Sequence, residues 1–114
     1  MAESTGLVVI WTTREREVAL SMALAYAKNA RQLGLWEAVR LLIWGPSAKV
    51  LACDLDLQDA VAACRQAGVD VVACRDCVAD YGVTDQFERL GLTLVDGNIA
   101  LTDDLKAGWN VVSV

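Results

Sequence analysis

Cys74 and Cys77 stand three apart in Cys-Arg-Asp-Cys, and this pair is the chain's clearest candidate for covalent chemistry. A thiolate attacks sulfur and carbon electrophiles, and a neighbouring thiol can resolve the product as a disulfide. The pair follows a β-branched run, Val69, Val71 and Val72, which predicts a buried strand. Val78-Ala79-Asp80-Tyr81 predicts a short helix stopped by Gly82. The cysteines therefore sit where a strand ends and a helix begins. In an open α/β sheet, that edge is where ligands and chemistry collect. Helix-end amides and Arg75 favour a Cys74 thiolate, and Asp76 opposes it. Cys74 is expected to be the most reactive thiol, able to act as a nucleophile or a redox thiol. Cys77, one turn on, is positioned to resolve it.

There is no histidine, so the usual general base and the commonest nitrogen ligand for metals are missing. Zinc held by Cys74 and Cys77 would need two more ligands. Cys53 and Cys64 are the other thiols, lie in no second Cys-x-x-Cys, and read as buried helix residues. No metal and no cofactor is expected. A thioredoxin-type redox protein is a further alternative, but its motif follows an early strand and this pair follows the third.

The elements that position the pair alternate along the chain. Gly6 to Trp11 is a continuous apolar run, expected as a central parallel strand. Thr12 and Glu15 have capping-box spacing, which predicts a helix from there to about Leu33, ended by Gly34. Ala38 to Trp44 is the second strand. Gly45-Pro46-Ser47 breaks it, and Pro46 suits the first turn of a short helix through about Ala52. Asp54 or Asp56 caps a helix over Leu57 to Ala67. Val69 to Ala73 is the third strand. Thr84 is expected to cap Asp85 to Leu90, Leu92 to Val95 is the fourth strand, and Asp96-Gly97-Asn98 reads as a turn. Thr102 is expected to cap a last helical turn before a fifth strand, Trp109 to Val114.

This alternation predicts one α/β domain over residues 1–114, three-layered α/β/α, with a mainly parallel sheet of about five strands. Parallel strands bring Thr12-Thr13-Arg14, Gly45-Pro46-Ser47 and the cysteine turn to one edge. Thr12, Thr13 and Ser47 read as caps first and ligand contacts second; Gly45, Pro46 and Arg75 complete the candidate binding residues. No loop carries a dinucleotide or phosphate-loop motif. Trp11 and Trp44 end their strands beside the site, as packing or as walls of an apolar pocket.

Composition narrows the classes. The formal net charge of -5, with no lysine cluster, disfavours nucleic acid. No apolar run approaches the roughly 18 residues of a membrane span. The start lacks the basic segment of a signal peptide, so a cytoplasmic, thiol-reducing setting is expected. At 55% hydrophobic residues, the chain is expected to bury strands on both faces, an oligomer interface, or both.

The order of motifs carries a resemblance. Val-Val-Ile-Trp-Thr, Leu-Leu-Ile-Trp-Gly-Pro-Ser, Gly-Val-Asp-Val-Val-Ala-Cys-Arg-Asp-Cys-Val-Ala-Asp-Tyr-Gly-Val and the closing Leu-Thr-Asp-Asp-Leu-Lys-Ala-Gly-Trp-Asn-Val-Val resemble the DsrE-like (YchN-like, DsrE/DsrF) family. The resemblance implies a small α/β protein that assembles as a homotrimer or homohexamer, some members being hetero-oligomers. It implies relay of sulfane sulfur as a cysteine persulfide, with the family's cysteine after the third strand matching Cys74. Cys77 matches a second cysteine found in only some members. A sulfur-donor protein and a sulfur-acceptor protein are the implied partners. The alternative is a non-catalytic binding or assembly protein on the same fold.

Overall fold

The computed structural model describes residues 6–114. Five strands form one parallel sheet: β1 (Gly6–Trp11), β2 (Ala38–Ile43), β3 (Asp70–Cys74), β4 (Thr93–Val95) and β5 (Asn110–Ser113). Their order across the sheet is β4-β3-β2-β1-β5. Each of the first three crossovers moves one strand outward, and the last returns across the sheet to place β5 beside β1. The register aligns Trp11 with Ile43 and Ile43 with Ala73, so the ends of β1, β2 and β3 share one edge.

Alternation along the central strands divides the core in two. Leu7, Val9, Trp11, Leu41, Ile43, Val71 and Ala73 face one side. Past α1 (Arg16–Val18), which buries no residue, they pack against a π-helical segment (Ala19–Leu24), α2 (Ala25–Gln32), α3 (Pro46–Cys53), α4 (Leu55–Gln66), α5 (Arg75–Asp80) and α6 (Thr84–Leu90). Ala19, Ala23, Ala27 and Ala30 are fully buried, and their small side chains let that helical run lie close to the sheet. Val8, Ile10, Leu42 and Val72 face the other side, where α7 (Gly97–Lys106) supplies Leu101. The three layers are thus unequal, with a single helix forming the second cover. Among the described residues no helix is long and apolar enough to cross a membrane.

The strands follow the expected apolar runs, while several helix starts differ. The Thr12–Glu15 capping box does not form. The Thr12 and Thr13 amides donate to the Val114 carbonyl (2.7 and 3.1 Å), which keeps the chain extended past β1. Glu15 takes the N-cap position with no side-chain capping bond. Of the two aspartates before α4, Asp54 caps, its carboxylate accepting from the Leu57 amide. Thr84 is the first residue of α6, not its cap; Val83 holds that position. Asp96-Gly97-Asn98 is not a turn but the opening of α7, with Asp96 Oδ1 accepting from the Ile99 amide at 3.1 Å. Thr102 consequently lies inside α7. An aspartate followed by glycine and asparagine suits both a turn and a helix cap, so composition alone does not separate them.

Two further differences concern cysteines and tryptophans. Cys64 is buried as expected, whereas Cys53, expected in the core, is exposed. In α3 the buried residues are Ser47, Ala48, Leu51 and Ala52, and Cys53 falls outside that stripe. Trp11 is fully buried in the core, its Nε1 donating to the Thr13 carbonyl at 2.9 Å. Trp44 packs on the α7 side.

Candidate functional site

Cys74 ends β3 and serves as the N-cap of α5. Its φ of -66° and ψ of 115° keep it extended while the next residue turns helical, and its Sγ accepts from the Cys77 amide at 3.4 Å. A thiol thus replaces the hydroxyl or carboxylate that usually fills this role. Along β3, Cys74 shares the parity of Val72, so its side chain leaves the sheet on the α7 side. It is only 5% exposed.

Gly97 and Trp44 cover it. A Cβ built on Gly97 would stand 3.4 Å from Cys74 Sγ, 3.4 Å from Cys74 Cβ and 3.4 Å from the Trp44 ring. Gly97 therefore leaves a methyl-sized gap above the sulfur. The sequence signal for this lies in the Asp96-Gly97 pair once it is read as the start of a helix whose first turn lies over β3.

Cys77 is held from the other side. Its Sγ accepts from the Gly45 amide at 3.3 Å. Gly45 has φ +75°, which glycine adopts without strain and which directs its N–H away from the end of β2. Burial, and after it the interaction with Cys74, push the Cys77 thiol up to about 11, while the Gly45 amide opposes the shift. Cys77 therefore keeps its proton at neutral pH. Its amide donates to Cys74 Sγ.

The remaining predicted residues frame this pair in different ways. Ser47 is fully buried; its Oγ donates to the Trp11 carbonyl and accepts from the Trp44 amide at 3.2 Å, locking the ends of β1 and β2 together. Thr12 Oγ1 donates to the Val114 carbonyl at 3.1 Å, and Thr13 Oγ1 accepts from the Glu15 amide at 3.0 Å. These three hydroxyls are thus bound to the chain's own backbone. Pro46 opens α3 beside Gly45. Arg75 is exposed, with Nη2 at 3.5 Å from the Leu94 carbonyl.

All four cysteines are free thiols. Among the described residues, no three cysteine, aspartate or glutamate side chains are grouped to hold a metal ion. What the arrangement offers is two adjacent sulfurs, each under a backbone amide.

The DsrE/DsrF-like family model matches residues 7–114. The chain belongs to this family. Among solved structures, it is similar to a conserved protein of unknown function from Bacteroides thetaiotaomicron, with a TM-score of 0.90 and 32% identity over 96% of this chain and 95% of that one. A protein of unknown function from Methanobacterium thermoautotrophicum shares the fold, with a TM-score of 0.68 and 22% identity over 98% of this chain and 100% of that one. No curated protein matches.

Proposed function

We propose that this protein handles sulfane sulfur, with Cys74 carrying it as a persulfide and Cys77 acting as proton donor and resolving thiol. The observation that carries this reading is the pair's hydrogen bonding. A thiolate or persulfide at Cys74 would accept from the Cys77 amide, with the Cys77 thiol one helical turn on. Such donors stabilise negative sulfur without a histidine.

The steps balance. The Cys74 thiolate attacks the outer sulfur of a donor persulfide, R–S–SH. A new S–S bond forms, the donor's S–S bond breaks, and R–S⁻ leaves. If no acceptor takes the outer sulfur, Cys77 attacks Cys74 Sγ. That closes a Cys74–Cys77 disulfide and releases the outer sulfur as hydrogen sulfide. The gap below Gly97 is where an added sulfur would be accommodated, and entry requires the first turn of α7 to move from Trp44 and Cys74.

The burial of Cys74 also favours a second reading, a non-catalytic binding or assembly protein on the same fold. A surface suited to assembly is present in either case. Met22, Tyr26 and Val112 are 57%, 39% and 38% exposed around a groove beside the edge strand β5. We place a further copy of the chain there, in a homotrimer or homohexamer. Light scattering that gives a stable monomer at micromolar concentration would exclude such an assembly.

Treatment with inorganic polysulfide, removal of the excess, and measurement of hydrogen sulfide separate the sulfur and assembly readings. The wild-type chain should release hydrogen sulfide and acquire the Cys74–Cys77 disulfide. Cys77→Ser should keep its persulfide and release little. Absence of both products in the wild-type chain would favour the assembly reading.

A further inference from the structure

A second feature of the same edge lies beyond the thiol pair. A cleft of about 500 Å³ opens between the loop after β1, α3 and the end of α5, lined by Arg14, Pro46, Lys49, Val50, Cys53 and Tyr81. Pro46, Val50 and the Tyr81 ring make its walls largely apolar. Arg14 and Lys49 bring two positive charges to a protein whose formal net charge is -5.

Neither cation is neutralised. Among the described residues, the ion pairs use Arg16 and Arg40, and none involves Arg14 or Lys49. The nearest carboxylates in sequence to Cys53 are already engaged. Asp54 accepts from the Leu57 amide and from Arg16 Nε at 2.8 Å, and Asp56 pairs with the same guanidinium. Arg16 thereby fastens the start of α1 to the α3–α4 junction, which holds the backbone of Arg14 beside α3. Asp80, next to Tyr81 in sequence, does not line the cleft.

The backbone narrows the ligand. A phosphate at a helix start is usually held by free amides. Here the Gly45 amide is occupied by Cys77 Sγ, and Pro46 has none. A guanidinium fork takes a carboxylate or a phosphate, and with neither position offering an amide to a phosphate's extra oxygens, the two side-chain cations suit the two oxygens of a carboxylate. We propose that this cleft binds a small organic carboxylate, its anionic group between Arg14 and Lys49 and its apolar body against Pro46, Val50 and Tyr81. This site is independent of the sulfur chemistry at Cys74, and Cys53, exposed on its wall, reports on its occupancy.

The test alkylates Cys53 in the full chain with iodoacetate, an anion, and with iodoacetamide, its neutral analogue. Peptide mass mapping reads each rate. The ratio of iodoacetate to iodoacetamide reactivity should be about threefold or more above that of the urea-unfolded chain, because local positive potential concentrates anions. Arg14→Ala with Lys49→Ala, both surface changes, should return the ratio to the unfolded value while the circular dichroism stays native. Millimolar phenylacetate should slow Cys53 alkylation by iodoacetamide, and phenylacetamide should not. A ratio unchanged by the double substitution, or equal protection by the acid and the amide, would overturn the proposal. Loss of sulfur loading at Cys74 would alter neither ratio, so the two proposals fail separately.

Discussion

The two ends of α7 are attached to the sheet by different physics. Near its C-terminal end, Asp104 accepts two bonds from Arg40 Nη1, at 2.5 and 2.6 Å. Arg40 also reaches Asp70 at 2.9 Å and lies 5.0 Å from the Trp109 ring centre. Asp104 is almost fully buried, so this end is fixed by a charge pair in a low-dielectric setting. At its N-terminal end, α7 rests on Cys74 and Trp44 through Gly97, a residue with no side chain. One end is fixed by a buried charge pair, and the other by contact alone. What covers the 5% exposed Cys74 thiol is thus the less strongly held end of a helix.

The largest effect should come from breaking the anchor. Asp104→Ala leaves Arg40 without its buried partner and should lower stability by about 2 kcal/mol. This is below the usual figure for a buried pair because Arg40 is partly exposed and keeps Asp70. Chemical denaturation of the variant measures it. A loss no larger than that of Asp70→Ala would contradict the anchor's special weight.

A comparable effect should appear with pH at Cys64. Burial pushes this thiol up to about 11 from an ordinary 9.0, so the folded chain keeps its proton where the unfolded chain has lost it. The associated stability is complete below about pH 9 and is lost as pH rises toward 11, by up to about 2 kcal/mol. Cys64→Val should flatten the stability curve between pH 9 and 11 relative to wild type. Parallel curves would show that Cys64 carries no such linkage.

The end held by contact alone is sharpened by a subtler change. Gly97→Ala places a methyl group in the gap above Cys74 at ordinary contact distance, so the fold should persist. Alkylation of Cys74 should fall about tenfold, equivalent to about 1.4 kcal/mol in the barrier. Unchanged alkylation would mean that reagents reach Cys74 by another route than past Gly97.

How much of this was legible in the sequence follows from which forces are local. The continuous apolar runs of β1, β2 and β3 require burial on both faces, and the parallel sheet follows from them. The strand-to-helix placement of Cys74 was legible for the same reason. Its cover was not. Asp96-Gly97-Asn98 satisfies turn and helix-cap chemistry alike, and only packing over β3 selects the helix. The exposure of Cys53 was partly legible, because Ala48, Leu51 and Ala52 set the buried stripe of α3 and leave it outside. The bonds from Thr12 and Thr13 to Val114 depend on β5 returning beside β1, a long-range pairing that no short window contains.

The smallest expected effect is at the exposed tie from Arg16 to Asp54 and Asp56. Arg16→Ala should leave the unfolding midpoint close to wild type, because a solvent-exposed pair is weakly stabilising. The Leu57 amide still holds the Asp54 carboxyl below its usual range after Arg16 is removed. A large shift of the midpoint would show that the tie stabilises more than its exposure allows.

The central claim is that Cys74 is the sulfur-carrying atom of this chain. Intact-mass measurement after brief exposure to a sulfane-sulfur donor tests it most directly, on wild type and on Cys74→Ser, Cys77→Ser and Cys53→Ser. The account predicts one added sulfur in Cys77→Ser and Cys53→Ser and none in Cys74→Ser. Wild type should gain the same sulfur and then lose it as the disulfide closes. Sulfur retained in Cys74→Ser, or lost only in Cys53→Ser, would contradict it.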